Sequence, residues 1–224
     1  MNRFCLLVVA KAPVAGLAKT RLTPPATPRA AAEIAAAALL DTLLAVRDTP
    51  GAIPLVAMTG DLSAAQRSGE LQDALAAMTV IPQRGNSFAD RLANAHADAA
   101  TRFPGRPVVQ IGMDTPQVTP DLLAGVAPFL SGAPAVLGEA EDGGWWVLGL
   151  RDPSHAEALR EVPMSRADTA AWTLKVLERR GLRVTDGPRL TDVDTMADAV
   201  TVARDVPGSR FAAAVAATAA GFRG

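Results

Sequence analysis

Apolar residues gather into short runs at positions 4–10, 53–58, 107–113, 134–138 and 145–150, each rich in valine, isoleucine or leucine and bounded by proline, glycine or polar residues. Runs of this length and content predict buried strands. Between several of them, near residues 28–47, 87–103, 119–130, 168–181 and 195–205, apolar side chains recur at helical spacing. The alternation predicts an α/β fold with a mixed, mostly parallel sheet and helices on both faces. The runs 134–138 and 145–150 break the alternation, because only a short acidic, glycine-containing stretch separates them, and one antiparallel strand fits there. The alanine-rich stretch 30–38 continues through Leu39, Leu40, Leu43 and Leu44 at the spacing of a packed helix. A last helix is expected between Ser209, its candidate N-cap, and Gly221.

Gly and Pro are spread along the 224 residues, no linker or repeat divides them, and one domain spanning 1–224 is expected. A chain that is 49% apolar and 20% charged has the make-up of a globular protein rather than a disordered one. The formal net charge of -1 lacks the basic excess that condenses on nucleic acid or an anionic membrane, so neither is an expected partner. Any bound anion must then be met locally. The run holding Cys5 is far shorter than the roughly 20 residues of a membrane span, and Lys11 follows it without a cleavage pattern. A cytoplasmic protein with no membrane span, and a core role for Cys5, are expected. His96 and His155 lie apart with no Cys/His cluster and no Gly-x-Ser-x-Gly, which removes zinc hydrolysis and a nucleophilic triad; both are expected at the surface.

Chemistry in a parallel sheet gathers where strands end. After the first run comes Lys11-Ala12-Pro13-Val14-Ala15-Gly16-Leu17-Ala18-Lys19-Thr20-Arg21, three cations around a glycine. Lysine supplies a point charge, arginine a bidentate fork, and glycine lets backbone N–H groups approach an anion. The loop matches neither the Walker nor the dinucleotide glycine pattern, and three solvated surface cations describe it equally well. Asp114-Thr-Pro116 follows the third run, and Asp192-Val-Asp194-Thr195 precedes a helical pattern; a turn and an N-cap also suit these aspartates. Carboxylates converging on a phosphate clamp make a magnesium site, since Mg²⁺ is held by one or two carboxylates together with substrate phosphates. In Glu139-Ala-Glu141-Asp142-Gly143-Gly144-Trp145-Trp146, Asp-Gly marks a hairpin turn, while three acids beside two aromatics suit a hydroxyl-rich or cationic acceptor. Gln83-Arg84-Gly85-Asn86-Ser87-Phe88-Ala-Asp90-Arg91 is a polar loop opening a helix, with Asn86 or Ser87 as candidate caps and Arg84 left to reach a base or phosphate.

These five motifs, in this order, resemble a bacterial family of uncharacterised glycosyltransferase-like proteins in the GT-A, or nucleotide-diphospho-sugar transferase, superfamily, related to molybdenum-cofactor nucleotidyltransferases and phospholactate guanylyltransferase. The resemblance runs nearly end to end. It implies a single Rossmann-like GT-A domain and a metal-dependent glycosyl- or nucleotidyltransferase using Mg²⁺ or Mn²⁺, a nucleoside triphosphate or nucleotide sugar, and a small-molecule acceptor. The site it implies has Lys19, Arg21 and Asp142 in catalysis; Lys11, Ala12, Pro13, Gly16, Lys19, Arg84 and Asp114 about the nucleotide; Glu139, Glu141, Asp142, Gly143, Gly144 and Trp145 about the acceptor; and Asp114, Asp192 and Asp194 about the metal. A nucleotide-binding module without turnover is the alternative. The chain departs from the family where Met196 and Ala197 replace a usual Pro and Glu, and where Trp145-Trp146 replaces tyrosine-like residues.

Overall fold

The computed structural model describes residues 3–221. Strands β1 (Phe4–Lys11), β2 (Ala52–Thr59), β3 (Thr79–Pro82), β4 (Val108–Ile111), β5 (Ala135–Glu139), β6 (Trp145–Leu150) and β7 (Val184–Asp186) form one sheet in the order β3-β2-β1-β4-β6-β5-β7. All neighbours pair in parallel except at β6, which runs antiparallel to both β4 and β5. The strand that interrupts the sequence alternation is therefore the inverted one. Helices α1 (Pro28–Asp48), α2 (Ser68–Ala76), α3 (Phe88–Arg102), α4 (Pro120–Val126), α5 (Phe129–Gly132), α6 (Thr169–Arg179), α7 (Met196–Asp205) and α8 (Arg210–Ala220) complete the chain.

Side chains alternate across a pleated strand, and β1 is apolar on both faces. Leu6 and Val8 pack with Leu39 and Leu43 of α1, whereas Cys5 and Leu7 belong to the cluster that includes Leu92 of α3 and Leu177 of α6. Helix α1 is buried twice over, because Ala31, Ile34 and Ala38 on its other side meet α7 and the fully buried Phe211 of α8. Alanine suits such a helix: small side chains let a sheet and two helices approach it together. No helix among the described residues is long and apolar enough to cross a membrane.

The predicted strands and helices at the motif-bearing ends appear within a residue or two. The stretch 119–130 is instead split into α4 and α5. Strands β3 and β7, helix α2 and a 3-10 segment at Pro153–Glu161 are additions. His96 corrects the surface expectation: it is fully buried on α3, with Nε2 2.9 Å from Oε1 of the buried Gln110 on β4. Loss of water pushes its pKa down to about 4, against a smaller upward pull from Gln110, so at neutral pH it is an uncharged core residue.

Candidate active site

The strand order reverses between β1 and β4, and in open α/β sheets ligands sit at the carboxyl ends beside such a reversal. Here the chain leaves β1 at Lys11 along β2, with the Ala12 N–H donating to the Thr59 carbonyl at 2.8 Å. The loop is anchored farther on by Leu22, fully buried against the α1/α7/α8 cluster. Between these anchors Lys19 takes a left-handed conformation, φ 49°. A non-glycine residue holds that shape only where its surroundings fix it. The Lys19 ammonium lies 3.0 Å from Asp114 Oδ1 and donates to the Val193 carbonyl, while Arg21 forms an ion pair with Asp194.

Val193 explains why the distant aspartates arrive together. It is buried in the cluster that holds Leu22, and its N–H donates to the Asp114 carbonyl at 2.9 Å. A parallel bridge between Ala140 and Leu190 extends the β5–β7 pairing toward the same edge. Thr195 then caps α7 in a capping box with Asp198. One apolar anchor thus fixes Asp192 and Asp194 on either side of itself.

Two clefts open on this edge. The first, about 330 Å³, is lined by the cations Lys11, Lys19, Arg21 and Arg91 against the acids Asp114 and Asp194. The second, about 580 Å³, reverses the balance: Asp114, Asp142, Asp192 and Asp194 face Arg21 and Arg166, with Gln110, Trp145 and Gly144 in its walls. Arg21, Asp114 and Asp194 line both clefts and so mark their junction. Within the second cleft, burial, reinforced by Asp142 and opposed by Lys19, pushes the Asp192 carboxyl up to about 6, with Asp114 adding a smaller push. Loss of water is the main cause, and the like charges of Asp142 and Asp114 add to it against Lys19. All four aspartates are hard oxygen donors, the kind that suits Mg²⁺ or Mn²⁺. Among the described residues no group of three or more His, Cys, Asp or Glu side chains is arranged to enclose an ion. Carboxylates of this kind suit an ion held by one or two of them together with a ligand's phosphates.

The turn carrying the acceptor-side residues is closed by hydrogen bonds from Ala140 N to Gly144 O, 2.9 Å, and from Gly143 N to Ala140 O, 3.1 Å. Asp142 Oδ1 accepts from the Gly144 N–H at 2.7 Å, which fixes that carboxylate at the mouth of the second cleft. Trp145 donates through Nε1 to Thr173 at 3.1 Å, and Trp146 is buried with its indole bonded to the Pro188 carbonyl at 2.7 Å.

Several expected residues lie elsewhere. Arg84 is outside both clefts and pairs with Asp98 of α3 at 2.6 Å, because Gly85, φ 129°, turns the chain so that Arg84 runs beside the helix. Its predecessor Gln83 points inward instead, donating to the Ala10 and Ala57 carbonyls at 2.8 and 2.9 Å. Glu139 pairs with Arg189 beyond a register shift at Gly138/Glu139, and the exposed Glu141 also lies outside the clefts. Ala12 and Pro13 are buried loop supports, and the exposed Gly16 makes a turn at φ 76°. Residues not foreseen are Phe88 and Arg91 in the first cleft and Ser165 and Arg166 in the second. Phe88 and Arg91 stand three apart in a helical pattern, a spacing that puts them on one face. The loop of Ser165 and Arg166 carries no comparable signal.

A mostly parallel sheet whose strand order reverses between β1 and β4, with one inverted strand, is a Rossmann-like α/β architecture. A candidate nucleotide-diphospho-sugar transferase of Desulfovibrio desulfuricans superposes with a TM-score of 0.85 at 24% identity, covering 98% of this chain and 96% of that one. A cytidylyltransferase of Leptospira borgpetersenii follows at 0.57 and 14% identity, with coverages of 97% and 94%. A Mycobacterium tuberculosis protein in complex with manganese reaches 0.50 at 20% identity, with coverages of 89% and 97%. The chain belongs to the family described as uncharacterized protein conserved in bacteria (DUF2064), whose model matches residues 42–166. No curated protein sequence matches the chain significantly.

Proposed function

We propose that this protein is a metal-dependent transferase that takes a nucleotide sugar or nucleoside triphosphate by its phosphates in the first cleft and a small-molecule acceptor in the second. The observation that carries the reading is the pair of joined clefts of opposite charge, sharing Arg21, Asp114 and Asp194 at their junction. A cationic chamber suits phosphates, an acidic one suits hydroxyls, and the junction is where the reacting bond belongs. The fold shared with a candidate nucleotide-diphospho-sugar transferase and a cytidylyltransferase supports the same class.

In this reading Lys19 and Arg21 neutralise charge that develops on the phosphates, which is electrostatic catalysis by positioned groups. Lys11, Ala12, Pro13 and Gly16 shape the loop that presents them. Asp114 and Asp194, with Asp192 beside them, would hold Mg²⁺ or Mn²⁺, which supplies Lewis-acid stabilisation of the phosphate oxygens when bound. Asp142, fixed by the Gly144 N–H, orients the acceptor hydroxyl or accepts its proton, and Trp145 forms the acceptor wall. The acidity of the second cleft favours an acceptor hydroxyl over an acceptor phosphate.

Thermal unfolding with triphosphates and sugar nucleotides, each with and without Mn²⁺, tests the proposal. A ligand at about 100 times its Kd stabilises by roughly 2.7 kcal/mol, or about 5–10 °C for a domain of this size. Release of nucleoside diphosphate identifies glycosyl transfer, and release of pyrophosphate identifies nucleotidyl transfer. Asp114→Ala is expected to abolish either. Absence of a shift with every nucleotide overturns the proposal.

A further inference from the structure

The cations of the first cleft are not equally satisfied. Lys19 is matched by Asp114, Arg21 by Asp194, and the Lys11 ammonium donates to the Leu17 carbonyl at 2.8 Å. Arg91 has no carboxylate and no side-chain hydrogen bond among the described residues, and its Nε is buried with no acceptor. A donor withdrawn from water without a partner is costly, more so on a charged group. The surroundings hold the side chain in this state. Its guanidinium lies 5.6 Å from the centroid of the Phe88 ring, itself 42% exposed on the cleft wall.

The supporting helix is also tied down. Ser87 and Asp90 form a capping box at the start of α3, and Arg160 bonds Asp90 at 2.7 Å and Asn94 at 2.8 Å. Arg91 is thus a partnerless fork on a fixed helix, its guanidinium over an aromatic face, beside a chamber already rich in positive charge. A fork of this kind matches a phosphate or carboxylate with paired N–H···O bonds.

We propose that Arg91 is the receptor for an oxyanion group of the substrate, with its two terminal guanidinium nitrogens donating to two of its oxygens and Phe88 holding the guanidinium plane. The inference rests on the reading of the first cleft as the phosphate chamber. The oxyanion belongs either to the donor nucleotide or to an anionic acceptor.

Calorimetric titration of the full chain with pyrophosphate, with and without Mn²⁺, is the test. Arg91→Gln is expected to weaken binding by about tenfold to a hundredfold, the worth of a charge-assisted hydrogen bond. Arg91→Lys, which keeps the charge but loses the fork, falls between, and Arg102→Gln at the exposed far end of α3 binds like the wild type. Equal pyrophosphate affinity in Arg91→Gln and wild type, or no binding by the wild type, overturns the inference. Should Arg91→Gln fail to fold, wild-type affinity in Arg91→Lys overturns it. A protein that binds nucleotides, while neither pyrophosphate nor inorganic phosphate binding depends on Arg91, refutes this inference and leaves the proposed function standing. Arg91-dependent pyrophosphate binding without any nucleotide binding does the reverse. Where pyrophosphate affinity falls, an accompanying loss of nucleoside triphosphate affinity assigns the oxyanion to the donor. An accompanying loss only of inorganic phosphate binding at saturating nucleotide assigns it to the acceptor.

Discussion

Gly143→Ala isolates the closest backbone approach in the acceptor turn. Gly143 has φ 85°, and a Cβ added there would lie 1.8 Å from the Ala167 carbonyl oxygen and 2.6 Å from its carbon. Both obstacles are backbone, so relief requires moving either the β5–β6 turn or the loop of Ser165 and Arg166 by more than an ångström. The Ala170 N–H donates to the Gly143 carbonyl at 2.9 Å and resists that shift. Left-handed strain on a residue with a Cβ costs about 1–2 kcal/mol, and overpacking adds about 1–3 kcal/mol. A loss of about 2–5 kcal/mol lowers Tm by about 5–15 °C in a domain of this size. Gly51→Ala is the matched control, with φ 77° and nothing within 4 Å of its added Cβ, so it carries the strain alone. Differential scanning calorimetry on both variants separates the two contributions. If Gly143→Ala melts no lower than Gly51→Ala, the close approach to Ala167 does not constrain the turn, and the overpacking argument fails.

His96 makes stability depend on pH. Its folded pKa of about 4 lies below the ordinary 6.5, so the unfolded chain takes up the proton first; its contribution is fully present above about pH 6.5 and is lost as pH falls toward 4. The loss is on the order of 3 kcal/mol. Urea unfolding across that range should show a slope that His96→Gln lacks, and equal slopes would rule His96 out as its source. The Cys5 thiol, buried in β1 and pushed up to about 12 by burial, should resist iodoacetamide at pH 8 until the chain is unfolded. Labelling of the native protein at the denatured rate would contradict its place in the core.

Where the chain announces an element with a long apolar run or a sustained period, the element is there. Strand β1 is buried along nearly its whole length and helix α1 through most of its middle, and burial writes the pattern. Strand β7 has three residues, none of them buried, and β3 has a single buried residue, Ile81, so neither leaves an apolar run to read. His96 was legible in principle: it continues the buried positions Ala89, Leu92 and Ala93 at helical spacing, which places it on the inner face of α3. Asp114 stands out as an acid that follows an apolar run, and Asp194 as one that precedes a helical pattern. Nothing local reveals that Val193 ties them together, because that contact joins residues far apart in the chain. Arg84 and Arg91 share one motif, and only the turn at Gly85 decides which of them faces the cleft.

The segregation of charge has a consequence for how ligands would bind. Lys19 and Arg21 neutralise Asp114 and Asp194 at the junction. Phosphates entering the first cleft would compete for those two cations and leave two carboxylates unmatched beside Asp142 and Asp192, whose carboxyl is already pushed up toward 6. A divalent cation alone would face the opposite difficulty, since Lys19 and Arg21 oppose it until an anion engages them. Under the proposed function each ligand removes the cost met by the other, so the affinity of either must rise by the same factor when its counterpart is bound. An all-protein cage would show no such coupling. The ion pairs across the junction therefore favour a metal that arrives with, and is shared by, the phosphates of the donor.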